Sequence, residues 1–116
     1  MTKKALITGI SGQDGAYLAQ HLLNNNYEVF GGERHTASGS LWRLDDLKII
    51  DDVKIQPFEL SEYSNIKNVI QTIEPDEIYN LAAQSFVASS FNMPLLTSDV
   101  TGLGVMRILE AIKEIN

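Results

Sequence analysis

The residues with the most chemistry to offer are three glycines, Gly9, Gly12 and Gly15, in the stretch "TGISGQDGAYLA". They follow a short apolar run and precede a helix-like pattern. At a strand-to-helix junction the first backbone N–H groups of the helix have no partner of their own, and the helix dipole favours an anion there. Glycines at such a turn let a pyrophosphate approach the backbone closely. The spacing alone would equally suit a surface turn, and the junction decides in favour of a ligand. Gly9, Ile10, Ser11, Gly12, Gln13, Asp14 and Gly15 are therefore expected to bind a dinucleotide.

That geometry calls for a ribose-recognising group roughly 20 residues past the motif, and Glu33 and Arg34 stand there. A carboxylate would accept hydrogen bonds from both ribose hydroxyls and repel a 2′-phosphate, whereas a guanidinium would pair with that phosphate. Position alone leaves NAD and NADP both open, and both side chains could also be solvated loop charges. The crevice should also be lined by the carboxyl end of a later strand. There the run "NLAAQS" places Leu81, Ala82, Ala83, Gln84 and Ser85, small enough in the main to leave room for a cofactor. Ser85 could cap the next segment; with no partner histidine in view it is no nucleophile.

Tyr63 and Lys67 spell Tyr-x-x-x-Lys, a pattern that suggests a proton-transfer pair. They fall at the start of the helix after the third strand, away from the nicotinamide end of such a crevice, and the expectation is a helix-surface pair. His21 and His35 lack second-ligand spacing and there are no cysteines, so no metal is implied. The net charge of −6, with nine Lys and Arg scattered along the chain, argues against nucleic acid. No run approaches the ~18 apolar residues of a membrane span, and none forms a signal-peptide core. A cytoplasmic protein is expected.

The elements that must position these residues alternate regularly between short apolar runs and helical-period segments. That alternation predicts an α/β fold, a parallel sheet wrapped by helices on both faces; with the dinucleotide motif at its first turn it is read as a partial Rossmann-type sheet of four strands in the order 3-2-1-4. The strands are expected at 5–8, 28–31, 54–58 and 77–83. Pro57 marks the third as an edge strand or its end. Helices are expected at 13–25, stopped by "NNN", at 41–48 with Leu44 and Leu47 inward, and at 64–73 with Ile66, Val69, Ile70 and Ile73 on one face. In the first of these Tyr17, Leu18 and Leu22 recur at helical spacing. A last helix, with Pro94 where it would begin, carries Val105, Ile108, Leu109, Ile112 and Ile115 as its apolar stripe. The 116 residues are read as a single dinucleotide-binding unit.

The stretches "TGISGQDGAYLA", "WRLDDL", "PDEIYNLAAQSFV" and "ILEAI" together resemble the GDP-mannose 4,6-dehydratases, extended short-chain dehydrogenase/reductases that act on nucleotide sugars. The similarity runs almost end to end. It implies NADP as cofactor, with NAD possible, and GDP-mannose as substrate, converted to GDP-4-keto-6-deoxymannose by internal hydride transfer and water elimination. It also implies a homo-oligomer, tetramer or dimer. The family's NADP loop is represented by Arg34, His35 and Thr36, and its adenine-holding Asp-Leu pair by Glu59 and Leu60. Leu96 replaces a tyrosine often found near the start of the last helix. The Tyr-x-x-x-Lys pair, Ser or Thr and Glu that such enzymes use follow a fifth strand, so the resemblance implies that this chain holds no catalytic residues and lacks the substrate-binding portion. A reductase or epimerase of the same superfamily, or a non-catalytic NAD(P)-binding module, would share every motif seen here.

Overall fold

A computed structural model describes residues 2–33, 41–81 and 104–115. Among them are four strands, β1 (Lys4–Thr8), β2 (Glu28–Glu33), β3 (Val53–Pro57) and β4 (Glu77–Asn80). Four helices accompany them: α1 (Gln13–Asn24), α2 (Trp42–Asp46), α3 (Tyr63–Ile73) and α4 (Gly104–Ile115). The strands form one parallel sheet in the order β3-β2-β1-β4. The central pair is registered Lys4 to Glu28 through Thr8 to Gly32. Pro57 closes the edge strand β3 opposite Glu33, where its missing N–H costs no further ladder bond.

Successive side chains of a strand point to opposite faces, and β1 divides the core accordingly. Ala5 and Ile7 pack with Ile10, Ala16, Ala19, Leu22, Val29 and Leu44 under α1 and α2. Leu6 packs on the other side with Phe30, Phe58, Leu60, Ile66, Ile70 and Ile108 under α3 and α4. Both faces of the central strands are thus covered, as parallel sheets require. The expected face of α3 is the one observed, with Ile66, Val69, Ile70 and Ile73 all buried.

Four expectations need correction. Tyr17 is 55% exposed; α1 instead buries Gly15, Ala16, Ala19 and Leu22, small residues that let its backbone lie close on the sheet. In α4 the buried face is Ile108 and Ala111, flanked by Ile112 and Ile115, while Val105 and Leu109 are exposed. Strand β2 runs two residues further than expected, which makes Glu33 its last residue rather than a loop position. The helix around Leu44 is shorter than the expected 41–48; its end is enforced by Lys48, which is left-handed at φ 60°. The "NNN" stop works as expected: α1 ends at Asn24 and Asn26 takes φ 66°, a conformation asparagine tolerates better than most residues. Pro94 and residues 82–83 of the expected fourth strand lie outside the described residues.

Candidate dinucleotide site at the β1–α1 junction

The loop from Gly9 to Gly12 leaves the carboxyl end of β1 between its neighbours β2 and β4. Gly9 turns the chain at φ 72°, a left-handed value that strains any residue with a Cβ. Its N–H donates to the Gly32 carbonyl at 3.2 Å, and its carbonyl accepts from Gly12 N–H at 3.1 Å. Ile10 is fully buried and pins the loop to the sheet. Gly15 answers a packing need: a Cβ there would sit 2.6 Å from the Gly9 carbonyl oxygen and 3.0 Å from Ile10 Cα, both backbone atoms that cannot give way.

Gly12 is different. Its φ of −77° suits any residue, and a Cβ would make only an ordinary 3.4 Å contact with the Gly9 carbonyl oxygen. Nothing in the described chain demands glycine there. Gly12 is also the N-cap of α1, and it supplies no side-chain hydrogen bond to the helix's first N–H groups. A bare N-terminus of a twelve-residue helix, with the Cβ position left open, is a cradle for an anionic group. The residues present fit the pyrophosphate of a dinucleotide.

Ser11 is held from two directions. Its N–H donates to Glu33 Oε2 at 3.2 Å, and its carbonyl accepts from Arg43 Nη1 at 3.0 Å. The Arg43 guanidinium in turn lies 4.4 Å from the centre of the Trp42 ring. On the opposite side of β1, the buried Thr8 hydroxyl donates to Asn80 Oδ1 at 2.6 Å and the Thr8 carbonyl accepts from Leu81 N–H at 3.2 Å. The carboxyl ends of β1 and β4 are thereby locked together beside the loop.

Residues 6–116 match the family model described as GDP-mannose 4,6 dehydratase. The chain belongs to that family. The GDP-mannose 4,6-dehydratase of Vibrio cholerae is 46% identical over 118 residues, covering 97% of this chain and 32% of its own length. That of Arabidopsis thaliana is 42% identical, covering 98% of this chain and 33% of its own; the human enzyme is 42% identical, covering 94% and 31%. The chain thus spans about a third of the length of the curated relatives it matches. Among solved structures, UDP-glucose 4-epimerase of Thermotoga maritima with UDP-glucose superposes with a TM-score of 0.82 at 21% identity, over 97% of this chain and 35% of that one. The Thermus thermophilus UDP-glucose 4-epimerase in complex with NAD gives 0.80 at 24% identity, over 97% and 34%. At such identities the likeness is one of fold.

In this member of the dehydratase family the expected cofactor residues that the structure describes divide into three groups. Gly9 to Gly15 and Glu33 come together at the β1–α1 junction. Glu59 and Leu60 follow the edge strand. The Glu59 N–H is taken by Asn65 Oδ1 at 2.7 Å, the Leu60 side chain is buried in the core, and the Leu60 carbonyl accepts from Arg107 Nη1 at 2.7 Å. Leu81, exposed, follows β4. Arg34, His35, Thr36, Ala82, Ala83, Gln84, Ser85 and Leu96 lie outside the described residues.

Tyr63 and Lys67 stand on the outer surface between α3 and α4. The Tyr63 hydroxyl donates to the Glu114 carboxylate, and Lys67 Nζ lies 3.4 Å from the same group. That hydrogen bond pushes the Tyr63 pKa up to about 12, the wrong direction for a proton-transfer group working near neutrality. Among the described residues no cluster of three or more metal-type ligands occurs, and no helix is long and apolar enough to cross a membrane. No short motif of the sequence ties Arg43 to the glycine loop. Only the topology, which seats α2 beside the loop through the fully buried Leu44, brings it there.

Proposed function

We propose that this chain is the dinucleotide-binding part of a GDP-mannose 4,6-dehydratase and that its cofactor is NADP. One observation carries the binding reading: Gly12 leaves both its Cβ position and the N-terminus of α1 open at the carboxyl end of the central strand. Gly9 to Gly15 would hold the pyrophosphate, Glu59 and Leu60 would flank the adenine, and the segment from Leu81 to Ser85 would line the nicotinamide side. Arg34, with His35 and Thr36, would take the 2′-phosphate. When bound, the nicotinamide supplies a reversible acceptor for the hydride of sugar C4. The chain's own part is to fix the dinucleotide's phosphates through backbone N–H groups and to hold the ends of β1 and β4 rigid beside it.

The proton-transfer residues are assigned to sequence outside these 116 residues, and so is the GDP-mannose site. Family resemblance alone extends the reading to a homo-oligomer, dimer or tetramer. A second reading, NAD in place of NADP, is favoured by Glu33, whose carboxylate stands at the end of β2 where a ribose 2′-hydroxyl would be read.

The test is product analysis of the full-length protein given GDP-mannose and a catalytic amount of NADP. Formation of the 4-keto-6-deoxy sugar nucleotide without net cofactor consumption is expected. A fully reduced or epimerised sugar would transfer the chain to a reductase or epimerase, and binding without turnover would leave a nucleotide-sensing module.

A further inference from the structure

Arg43 lies 32 residues from Ser11 in sequence, yet its Nη1 reaches the Ser11 carbonyl at 3.0 Å. A guanidinium carries five N–H donors and a fixed positive charge, and the carbonyl engages one of them. Among the described residues no carboxylate lies within ion-pair distance of Arg43; the ion pairs present involve Lys3, Lys54 and Lys67. The side chain is half-buried and stacked on Trp42, so the position of the charge is restricted. The other side of Ser11 faces Glu33, the residue at the ribose-reading end of β2. A cavity of about 310 Å³ opens between α1 and α2, lined by Gln13, Ala16, Tyr17, Trp42, Arg43 and Asp46 among others.

We propose that Arg43 is a specificity-determining residue for the cofactor, its guanidinium pairing with the 2′-phosphate of NADP while one donor stays on the Ser11 carbonyl. This rests on the dinucleotide reading above. The charge logic follows from the neighbours. Glu33 would repel a 2′-phosphate, and a cation clamped on the carbonyl of the same loop residue, Ser11, offsets that repulsion without competing for the pyrophosphate N–H groups. Guanidinium–phosphate pairs are charge-assisted and often bidentate, and the donors not used by Ser11 permit that geometry.

The experiment is calorimetric titration of the full-length protein and its Arg43→Met variant with NADP, NAD and 2′-AMP, the smallest probe bearing the 2′-phosphate. Methionine keeps much of the apolar stem and removes the charge. The expected result is an NADP and 2′-AMP affinity weakened by about tenfold or more, on the scale of a lost charged hydrogen bond, with a clearly smaller loss for NAD, which feels only the missing Ser11 contact. An equal loss for NADP and NAD would overturn the inference and make Arg43 a brace for the glycine loop. No change for any probe would overturn it as well. Arg43→Lys keeps the charge without the fork; it is expected to retain part of the NADP preference and decides the matter if the methionine variant melts early. Should the parent bind neither dinucleotide, the reading beneath this one fails; should it bind NADP with a preference that Arg43 does not alter, only this one does.

Discussion

The carboxylate of Glu33 accepts the backbone N–H of Ser11 at 3.2 Å, joining the last residue of β2 to the glycine loop across 22 positions of sequence. The contact has two parts, a hydrogen bond that shapes the loop and a negative charge beside the position where the proposed dinucleotide's ribose would be read. Glu33→Gln separates them, because an amide oxygen can still accept from Ser11. NADP affinity is expected to rise by about fivefold to tenfold relative to NAD, the scale of removing one screened like charge. Calorimetry with both dinucleotides checks it, and an unchanged ratio would leave Glu33 a loop brace.

Gly12 and Gly15 should fail in different ways. At Gly15 an added methyl meets backbone at 2.6 Å and must lift α1 from the sheet, so Gly15→Ala is expected to cost about 1–3 kcal/mol of stability, as overpacking does. Gly12→Ala meets only a 3.4 Å contact and should cost under about 1 kcal/mol as an N-cap change, yet it fills the space a pyrophosphate would use. Denaturant melts and NADP titrations of the two variants should therefore separate a folding defect at Gly15 from a binding defect at Gly12.

The Tyr63–Glu114–Lys67 cluster makes a pH prediction. Hydrogen bonding to Glu114 raises the Tyr63 pKa to about 12, and the same bond lowers that of Glu114 from its ordinary 4.5. The neutral phenol is the donor, so its contribution is present below the ordinary tyrosine value of 10 and is lost as pH climbs through about 12. The carboxylate's contribution is present above 4.5 and is lost as pH falls through its lowered value. The contact between α3 and α4 is thus strongest between roughly pH 5 and 10. Ultraviolet titration of the phenols should show Tyr63, and Tyr79 through its bond to Glu77, ionising near 12. Glu114→Gln should return the first toward its usual range. If the full-length protein turns over GDP-mannose as proposed, Tyr63→Phe should leave that turnover nearly intact; a loss of about a thousandfold, within the range of removing an acid–base group, would place Tyr63 in the chemistry.

The alternation of strands and helices and the glycine loop were legible because apolar periodicity and the Gly-x-x-Gly-x-x-Gly spacing are local signals, and the Rossmann-type reading of that loop carried the strand order with it. The misses share a cause, packing set by partners distant in sequence. Periodicity favours Tyr17 and Leu109 by hydropathy, but the positions actually buried are Ala16 and Ala19 in α1 and Ile108 and Ala111 in α4, where small size matters as much as apolarity. In β2, Gly31 reads as the last strand residue and Gly32 as lying beyond it. The ladder continues through both, and a Cβ at Gly31 would lie 2.7 Å from the Ile10 side chain. Arg43 at Ser11 is a contact across 32 residues for which no short motif exists.

The central claim is that the β1–α1 junction binds a dinucleotide through an anion site opened by Gly12. The most direct measurement is a calorimetric titration of NADP into the full-length protein and into its Gly12→Val variant, with melting curves showing both folded. The account predicts binding in the micromolar range or tighter by the parent and a loss of at least about a hundredfold in the variant, since a branched side chain there would stand where the pyrophosphate must lie. Equal affinity in the two proteins, or no binding by the folded parent, would contradict it.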